Sequence, residues 1–365
     1  MRYIFKVGIV CFIYLLGSSI AYAEYPGRRW DSVASKMQKG WDVDRLSHVI
    51  ESLDALPTSA FLLIEGGAII DSYGPIEIAH PLHELSLVAL SALYGNYQLE
   101  NHFSLSQTLK KLQVEETPPL TEKEGRVSLQ SLFQSRSIID RPAAFDDQPF
   151  KKEIEEKYYD LLWRYNQWGF NVLTFLYEQF SQQWFADAFE DKIANPLQMR
   201  DFRKIRHSNE VYSDRSKYMA PVFNMSARDL GRLGLLFLTE GQWEKDKLMA
   251  LEWVKMSTSI KSSDAYSIVD GSRTGGYGFL WYVEQDNQLF PGVYMPEGTY
   301  AMQGRGGQYL VIIPSMQLVI VHLNDTSYDQ NVMTPAMFGE VLNEVLLAKE
   351  PLNPLQRDYG NPRPY

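Results

Sequence analysis

Apolar residues near both ends of the chain fall in short runs that are rich in β-branched and aromatic residues. Residues 60–73 contain two such runs, FLLI and AIIDSY, around a Glu-Gly-Gly turn. Because glycine permits the positive φ angles of a tight turn, this pattern predicts a β-hairpin. Residues 309–323 repeat the arrangement around Pro-Ser-Met-Gln, and residues 277–284 are typical of one further strand.

The middle of the chain has a helical period instead. Residues 84–260 show mostly helical spacing of apolar positions, most strongly at 161–180 and 227–239. A last helix is predicted at 334–349, where a capping threonine precedes proline at the first helical position. Strands from both chain ends around inserted helices predict an α+β fold. We expect an antiparallel sheet built from both chain ends with flanking helices, plus an inserted, mainly α-helical lobe.

The first 23 residues are typical of a secretory signal peptide. They begin with Arg2 and Lys6, continue through an apolar stretch and end in the small-residue site Ala21-Tyr22-Ala23. The apolar stretch is short for a membrane span, which needs about 20 residues, so cleavage is favoured over a retained anchor. The sequence therefore predicts a periplasmic or secreted protein without a stable membrane span after cleavage.

Residues 24–365 are predicted to form one two-lobed domain. The sheet lobe is expected at about 24–83 and 265–350, and the helical lobe at about 84–264. The formal net charge is -10, and removal of the two positive leader residues would take it to -12. Such an acidic balance argues against nucleic-acid binding.

The sequence predicts neither a cofactor nor a metal. It contains no glycine-rich phosphate loop. His80 and His83 flank a proline, which argues against a pair of metal ligands on one helix face, and no further ligand cluster accompanies them.

Several segments carry a resemblance when they are taken in order. HELSLVALSALYG at 83–95 predicts an apolar helix that ends at Gly95. YNQWGFN follows from Tyr165, SARDLGRLGLL from Ser226 and GRGGQYLVIIP from Gly304. In this order the segments resemble the serine β-lactamase-related hydrolases, a family that includes penicillin-binding-protein-like folds. The resemblance implies a cleft between the two lobes.

The same resemblance shows what this chain lacks. The family's first motif is Ser-x-x-Lys, in which serine is the acyl-transfer nucleophile and lysine takes its proton. The serine position holds Glu84 and the lysine position holds Leu87, and Ser-x-x-Lys occurs nowhere in the 365 residues. Leucine has no proton-accepting atom, and a carboxylate is a poor replacement for the nucleophile.

Two further motifs match with changes. Tyr165 matches the tyrosine of the family's Tyr-x-Asn motif, whereas the asparagine position holds Gln167. Arg305, Gly306 and Gly307 match the third motif, with arginine in place of lysine or histidine. Arginine stays charged and cannot act as a base, although it can bind a carboxylate. The N–H of Gln308 is expected to be an oxyanion donor beside that of Glu84.

These observations predict a pseudoenzyme of the family that keeps a binding cleft lined by Glu84, Tyr165, Gln167 and residues 305–308. A peptide or an acyl-amide-like molecule is the candidate ligand. We expect Glu84, Tyr165 and Arg305 to converge in the cleft and Glu84 to form a salt bridge with Arg305. Two alternatives stay open at this point: an active amidase, peptidase or esterase with an unconventional catalytic residue, and an interaction protein with a vestigial cleft.

Overall fold

The computed structural model describes residues 25–33, 36–144, 163–203, 216–220, 222–327 and 331–349. The predicted signal peptide lies outside the described residues. So do Leu161 and Leu162, at the start of the helix predicted at 161–180.

The described strands are β1 Ala60–Glu65, β2 Ala68–Tyr73, β3 Ala79–Pro81, β4 Asn224–Ser226, β5 Gln242–Trp243, β6 Asp246–Lys247, β7 Ser262–Tyr266, β8 Arg273–Tyr277, β9 Tyr282–Val283, β10 Tyr300–Gly304, β11 Gln308–Ile313 and β12 Leu318–Leu323. Eight of them, from both chain ends, form an antiparallel sheet in the order β2-β1-β12-β11-β10-β9-β8-β7. The α+β prediction is therefore confirmed.

Both predicted hairpins are confirmed by the strand pairing. β1 pairs with β2, and β11 pairs with β12 across the short turn at Pro314–Met316. The single strand predicted at 277–284 is wrong, because the chain turns back after Tyr277. The N–H of Gly278 donates to the carbonyl of Trp281 at 2.8 Å, and β9 starts only at Tyr282.

The helices lie mainly between the two groups of strands. They are α1 Val43–Ser52, α2 Leu87–Glu100, α3 Glu122–Gly125, α4 Leu129–Phe133, α5 Gln167–Ser181, α6 Phe185–Phe189, α7 Ala227–Leu238, α8 Leu251–Ser257 and α9 Pro335–Ala348. The lobe boundaries at 84 and 264 stay predictions.

Local signals place the ends of several helices correctly. Thr334 caps α9 by accepting the N–H of Met337, and Pro335 is its first residue, as predicted. α7 likewise follows the predicted segment at 227–239.

The prediction that a helix ends at Gly95 is wrong, because α2 continues to Glu100. A Cβ at Gly95 would lie 2.7 Å from Trp253, so this glycine allows α8 to approach and does not end the helix.

The core joins the sheet to the helices on its face. The Trp281 indole N–H donates to the Ser91 hydroxyl of α2 at 3.3 Å, and its ring lies 4.7 Å from the ring of Phe237 on α7. These contacts fix the strands that lead into β10 relative to α2. The last residues of β10 therefore meet the start of α2 in a defined position.

Candidate functional site

Glu84 lies in a short 3-10 turn, His83–Ser86, that leads directly into α2. The preceding residue, His83, has φ of +46°, a conformation that costs a non-glycine residue free energy. The His83 ring is held through Nε2, which lies 2.9 Å from the Thr326 hydroxyl. The backbone bend at His83 thus directs Glu84 inward, where only 4% of its surface is exposed.

Each carboxylate oxygen of Glu84 accepts a hydrogen bond from a different element. The side-chain amide of Gln167, at the start of α5, donates to Oε1 at 3.2 Å. The backbone N–H of Arg305, just after β10, donates to Oε2 at 2.9 Å. The structure therefore brings together three positions that the motif comparison had singled out separately.

Glu84 contacts Arg305 through the backbone N–H of Arg305. The predicted salt bridge between the two side chains is a different contact and stays a prediction. The expected role of the backbone N–H of Gln308 as an oxyanion donor also stays a prediction. Gln308 lies on β11, paired with Gly304, and its side chain donates to the carbonyl of Pro81 at 2.9 Å.

The glycines near Arg305 are required for two different structural reasons. Gly304 is the last residue of β10, and a Cβ there would lie 2.5 Å from the side chain of Leu85. Glycine therefore lets the strand approach the His83–Ser86 turn. Gly306 and Gly307 instead form the turn between β10 and β11, with φ of +74° and +75°. A side chain at Gly307 would collide with the carbonyl of Met333.

The segment before α5 is fixed by Asn166. Its side chain accepts the N–H of Gly169 at 2.8 Å as the helix cap, and it donates to the carbonyl of Ile139 at 2.7 Å. Tyr165 is 6% exposed, and its ring packs edge-on against Phe170 at 4.9 Å. Burial, and after it the charge of Glu84, raises the pKa of Tyr165 well above its usual value. The tyrosine is therefore a neutral hydroxyl at neutral pH.

Leu87 and Ser86 complete the first motif region without adding a base or a nucleophile. Leu87 is 3% exposed and belongs to the apolar core. Ser86 is fully buried, and its hydroxyl accepts the N–H of Phe223 at 2.9 Å, away from Glu84. The arrangement can bind and orient a polar group, but the position of the lysine base offers only hydrocarbon.

An aromatic cluster adjoins Tyr165. The ring of Trp163 lies 6.2 Å from that of Tyr165, 5.4 Å from that of Tyr277 and 6.1 Å from that of Tyr282. Burial raises the pKa of Tyr282 well above its usual value, as do the nearby Tyr277 and the charge of Glu84. Glu84 and these rings therefore share one electrostatic environment.

Several buried polar atoms in this region have no hydrogen-bond partner in the described part of the chain. They include the indole N–H of Trp163 and the hydroxyls of Tyr277 and Ser135. The Ser135 hydroxyl is close enough to lower the pKa of Tyr277 against the larger rise caused by burial, but the two hydroxyls do not meet in hydrogen-bond geometry. These groups carry no signal in the sequence, because nothing in their spacing distinguishes them from core residues.

The β-lactamase family model matches residues 91–336. This is more than half of the chain, which therefore belongs to the β-lactamase family. The match begins after Glu84 and Leu87. The assignment of these two residues to the first motif thus depends on the local sequence and on the contacts described above.

Solved structures share the fold at low sequence identity. A Bacillus anthracis protein proposed to be a 6-aminohexanoate-dimer hydrolase gives a TM-score of 0.62 at 17% identity, covering 89% of this chain and 88% of that one. A class C β-lactamase from Rhodobacter sphaeroides gives 0.55 at 15%, covering 84% and 98%. An octameric penicillin-binding protein homologue from Pyrococcus abyssi gives 0.57 at 17%, covering 84% and 77%.

One sequence relative is uncharacterized. It is a protein of Alkalihalophilus pseudofirmus that is 32% identical over 99 residues, which are 27% of this chain. The matched segment spans 28% of the length of that relative. It therefore adds no activity to the comparison.

The described residues form no helix of the length and apolarity that a membrane span requires. They also contain no group of three or more His, Cys, Asp or Glu side chains able to hold a metal ion.

Proposed function

We propose that this protein is an exported, non-hydrolytic member of the β-lactamase family that uses the cleft beside Glu84 to bind a peptide or an acyl-amide-like ligand. The observation that carries the proposal is the state of Glu84. Its carboxylate stands at the nucleophile position and accepts the N–H of Arg305. Acyl transfer needs a nucleophile and free oxyanion donors at this point, and this donor is already engaged by the chain itself.

The unpartnered polar groups support a retained binding role. Buried polar side chains are normally hydrogen-bonded, so several without partners in one region call for an explanation. The indole N–H of Trp163 is a donor and the Tyr277 hydroxyl can donate or accept, and both rings lie in the cluster that adjoins Tyr165. An amide group of a ligand has a complementary acceptor and donor.

Export is part of this proposal, and it is supported by the leader-like pattern of residues 1–23. Expression with the native N-terminus in a bacterial host, followed by mass spectrometry of the exported protein, should show loss of residues 1–23. An intact N-terminus would contradict export with cleavage.

Hydrolysis is tested on the purified mature protein with a fluorophosphonate probe and a penicillin-type probe, followed by mass spectrometry. We expect no covalent adduct at any cleft residue. We also expect turnover of β-lactams, simple esters and D-amino-acid amides no faster than that of a Tyr165→Phe control. Stable labelling of one residue, or turnover that a single cleft substitution abolishes, would establish an active hydrolase instead.

Binding is tested separately by thermal shift with a panel of N-acyl amino-acid amides. A saturable rise in melting temperature that Tyr277→Phe removes would support the cleft as the binding site. If no member of the panel gives such a rise, or if Tyr277→Phe leaves it unchanged, the ligand class is wrong.

A further inference from the structure

The donors around Glu84 have the arrangement of a carboxylate-binding site. One donor is a backbone N–H and the other is a side-chain amide, and they address different oxygens of one carboxylate. We propose that these donors form a site for a small carboxylate, which the chain fills with its own Glu84 and which therefore excludes external carboxylates. This inference concerns the occupant of the site and goes beyond the proposed absence of hydrolysis.

The site is built on rigid elements and not on Glu84 itself. Arg305 follows β10, which pairs with β11 along its length and meets the His83–Ser86 turn through Gly304. Gln167 begins α5, whose cap Asn166 is held at both ends by hydrogen bonds. Removal of the Glu84 side chain would therefore leave the N–H of Arg305 and the start of α5 where they are, because other contacts hold both.

The surroundings determine which ligand fits. The site is nearly closed, since Glu84 is 4% and Gln167 8% exposed. A bulky acid therefore has no room. Glu84 also places its negative charge next to Tyr165 and Tyr282. A second anion would be repelled while Glu84 is present, so the native protein should not bind carboxylates at this position.

The test removes atoms of the Glu84 side chain by substitution and supplies the same atoms as a free carboxylate in solution. Glu84→Ala removes one methylene and the carboxylate, which together have the heavy atoms of acetate. Glu84→Gly removes one more carbon, so that the missing atoms correspond to propionate. Each variant is titrated with sodium acetate and sodium propionate, and sodium chloride of equal ionic strength corrects for general salt effects. The native protein and Glu84→Gln, whose side chain still fills the space, are the controls.

We expect acetate to raise the melting temperature of Glu84→Ala, by about 2 °C at ten times its dissociation constant for a domain of this size. Propionate should be the better ligand for Glu84→Gly. The native protein and Glu84→Gln should respond to neither salt beyond the chloride control. If Glu84→Ala folds poorly, acetate should increase its folded fraction more than chloride does.

Equal responses of all four proteins to acetate would overturn the proposal, and so would the same ligand preference in Glu84→Ala and Glu84→Gly. Failure of acetate and propionate to stabilise or refold either variant would also overturn it. These outcomes are independent of the hydrolysis test. Labelling of the native cleft by an acyl probe would refute the proposed function and leave the carboxylate titration unaffected.

Discussion

His322 on β12 gives the most direct test of how the turn after Arg305 is held. Its ring is fully buried, with Nδ1 2.8 Å from the carbonyl of Gly307 and Nε2 3.1 Å from the hydroxyl of Thr58. A carbonyl can only accept, so we assign the proton to Nδ1 and let Nε2 accept from Thr58. The ring is therefore neutral in the folded protein, and protonation of Nε2 would place a positive charge at a fully buried position.

The energetic consequence follows from the pKa of His322. Burial lowers it from 6.5 to about 4, against the smaller opposing effects of the Gly307 and Pro57 carbonyls. Below pH 6.5 the unfolded chain therefore binds more protons at this residue than the folded chain does, and the folded state loses stability as the pH falls. At about 1.4 kcal/mol per pKa unit, the full loss is about 3 kcal/mol below pH 4. About 2 kcal/mol of this is already lost at pH 5.

The assay is urea unfolding of the native protein and of His322→Asn at pH 8 and pH 5. Asparagine keeps an N–H for the Gly307 carbonyl but does not titrate. We expect the free energy of unfolding to fall between these pH values by about 2 kcal/mol more in the native protein than in the variant. Carboxyl groups whose pKa burial raises, such as that of Glu284, act in the opposite direction but are common to both proteins. Equal pH dependence of the two proteins, or an NMR titration of His322 with a midpoint near 6.5, would refute the reasoning.

Three further predictions concern the motif residues and the turn. Glu84→Ser combined with Leu87→Lys should give at most weak hydrolysis of a chromogenic cephalosporin, because Gln167 still differs from the family motif; robust turnover would contradict this. Gly307→Ala should lower the free energy of unfolding by about 3 kcal/mol or more, since its methyl would collide with a backbone carbonyl. Gly66→Ala, which has the same sign of φ but nothing within 4 Å, should cost only about 1–2 kcal/mol, and equal urea midpoints for the two would reject the steric argument. Gln167→Asn should cost about 1–3 kcal/mol in the native protein and less in a Glu84→Ala background; a double-mutant cycle without coupling would show that this contact contributes nothing.

The sequence predicts those parts of the fold that are specified by neighbouring residues. The cap Thr334 with Pro335, and the two hairpins, depend on contacts within a few positions, and the structure confirms them. The errors occur where a distant residue decides. The sequence pattern predicts a helix end at Gly95, but in the structure this glycine leaves space for Trp253 of α8. The strand predicted from Tyr277 is interrupted because the N–H of Phe279 donates to the carbonyl of Ser257, in a different part of the fold.

In the candidate site, too, some features follow from local sequence and others depend on distant residues. Glu84, Tyr165 and Gln167 could be selected from motif spacing. Spacing alone does not show which backbone N–H meets Glu84, and the structure places that of Arg305 there. The expected role of the Gln308 N–H as an oxyanion donor stays a prediction. Trp163 and Tyr277 have no sequence signal as site residues, since only the three-dimensional surroundings reveal that their buried polar atoms have no partner in the described part of the chain.

The two departures from the family motifs are partners in one contact. The sequence presents Glu84 and Gln167 as separate losses, one of a nucleophile and one of an asparagine, but their side chains meet at 3.2 Å. A site that merely lost its serine would leave the N–H of Arg305 and the buried amide without an acceptor, at a cost of about 1–3 kcal/mol for each unsatisfied group. A carboxylate at position 84 supplies both acceptors at once. Glu84 is therefore explained by the donors that surround it, and the same contacts that satisfy them occupy the place where acyl transfer would begin.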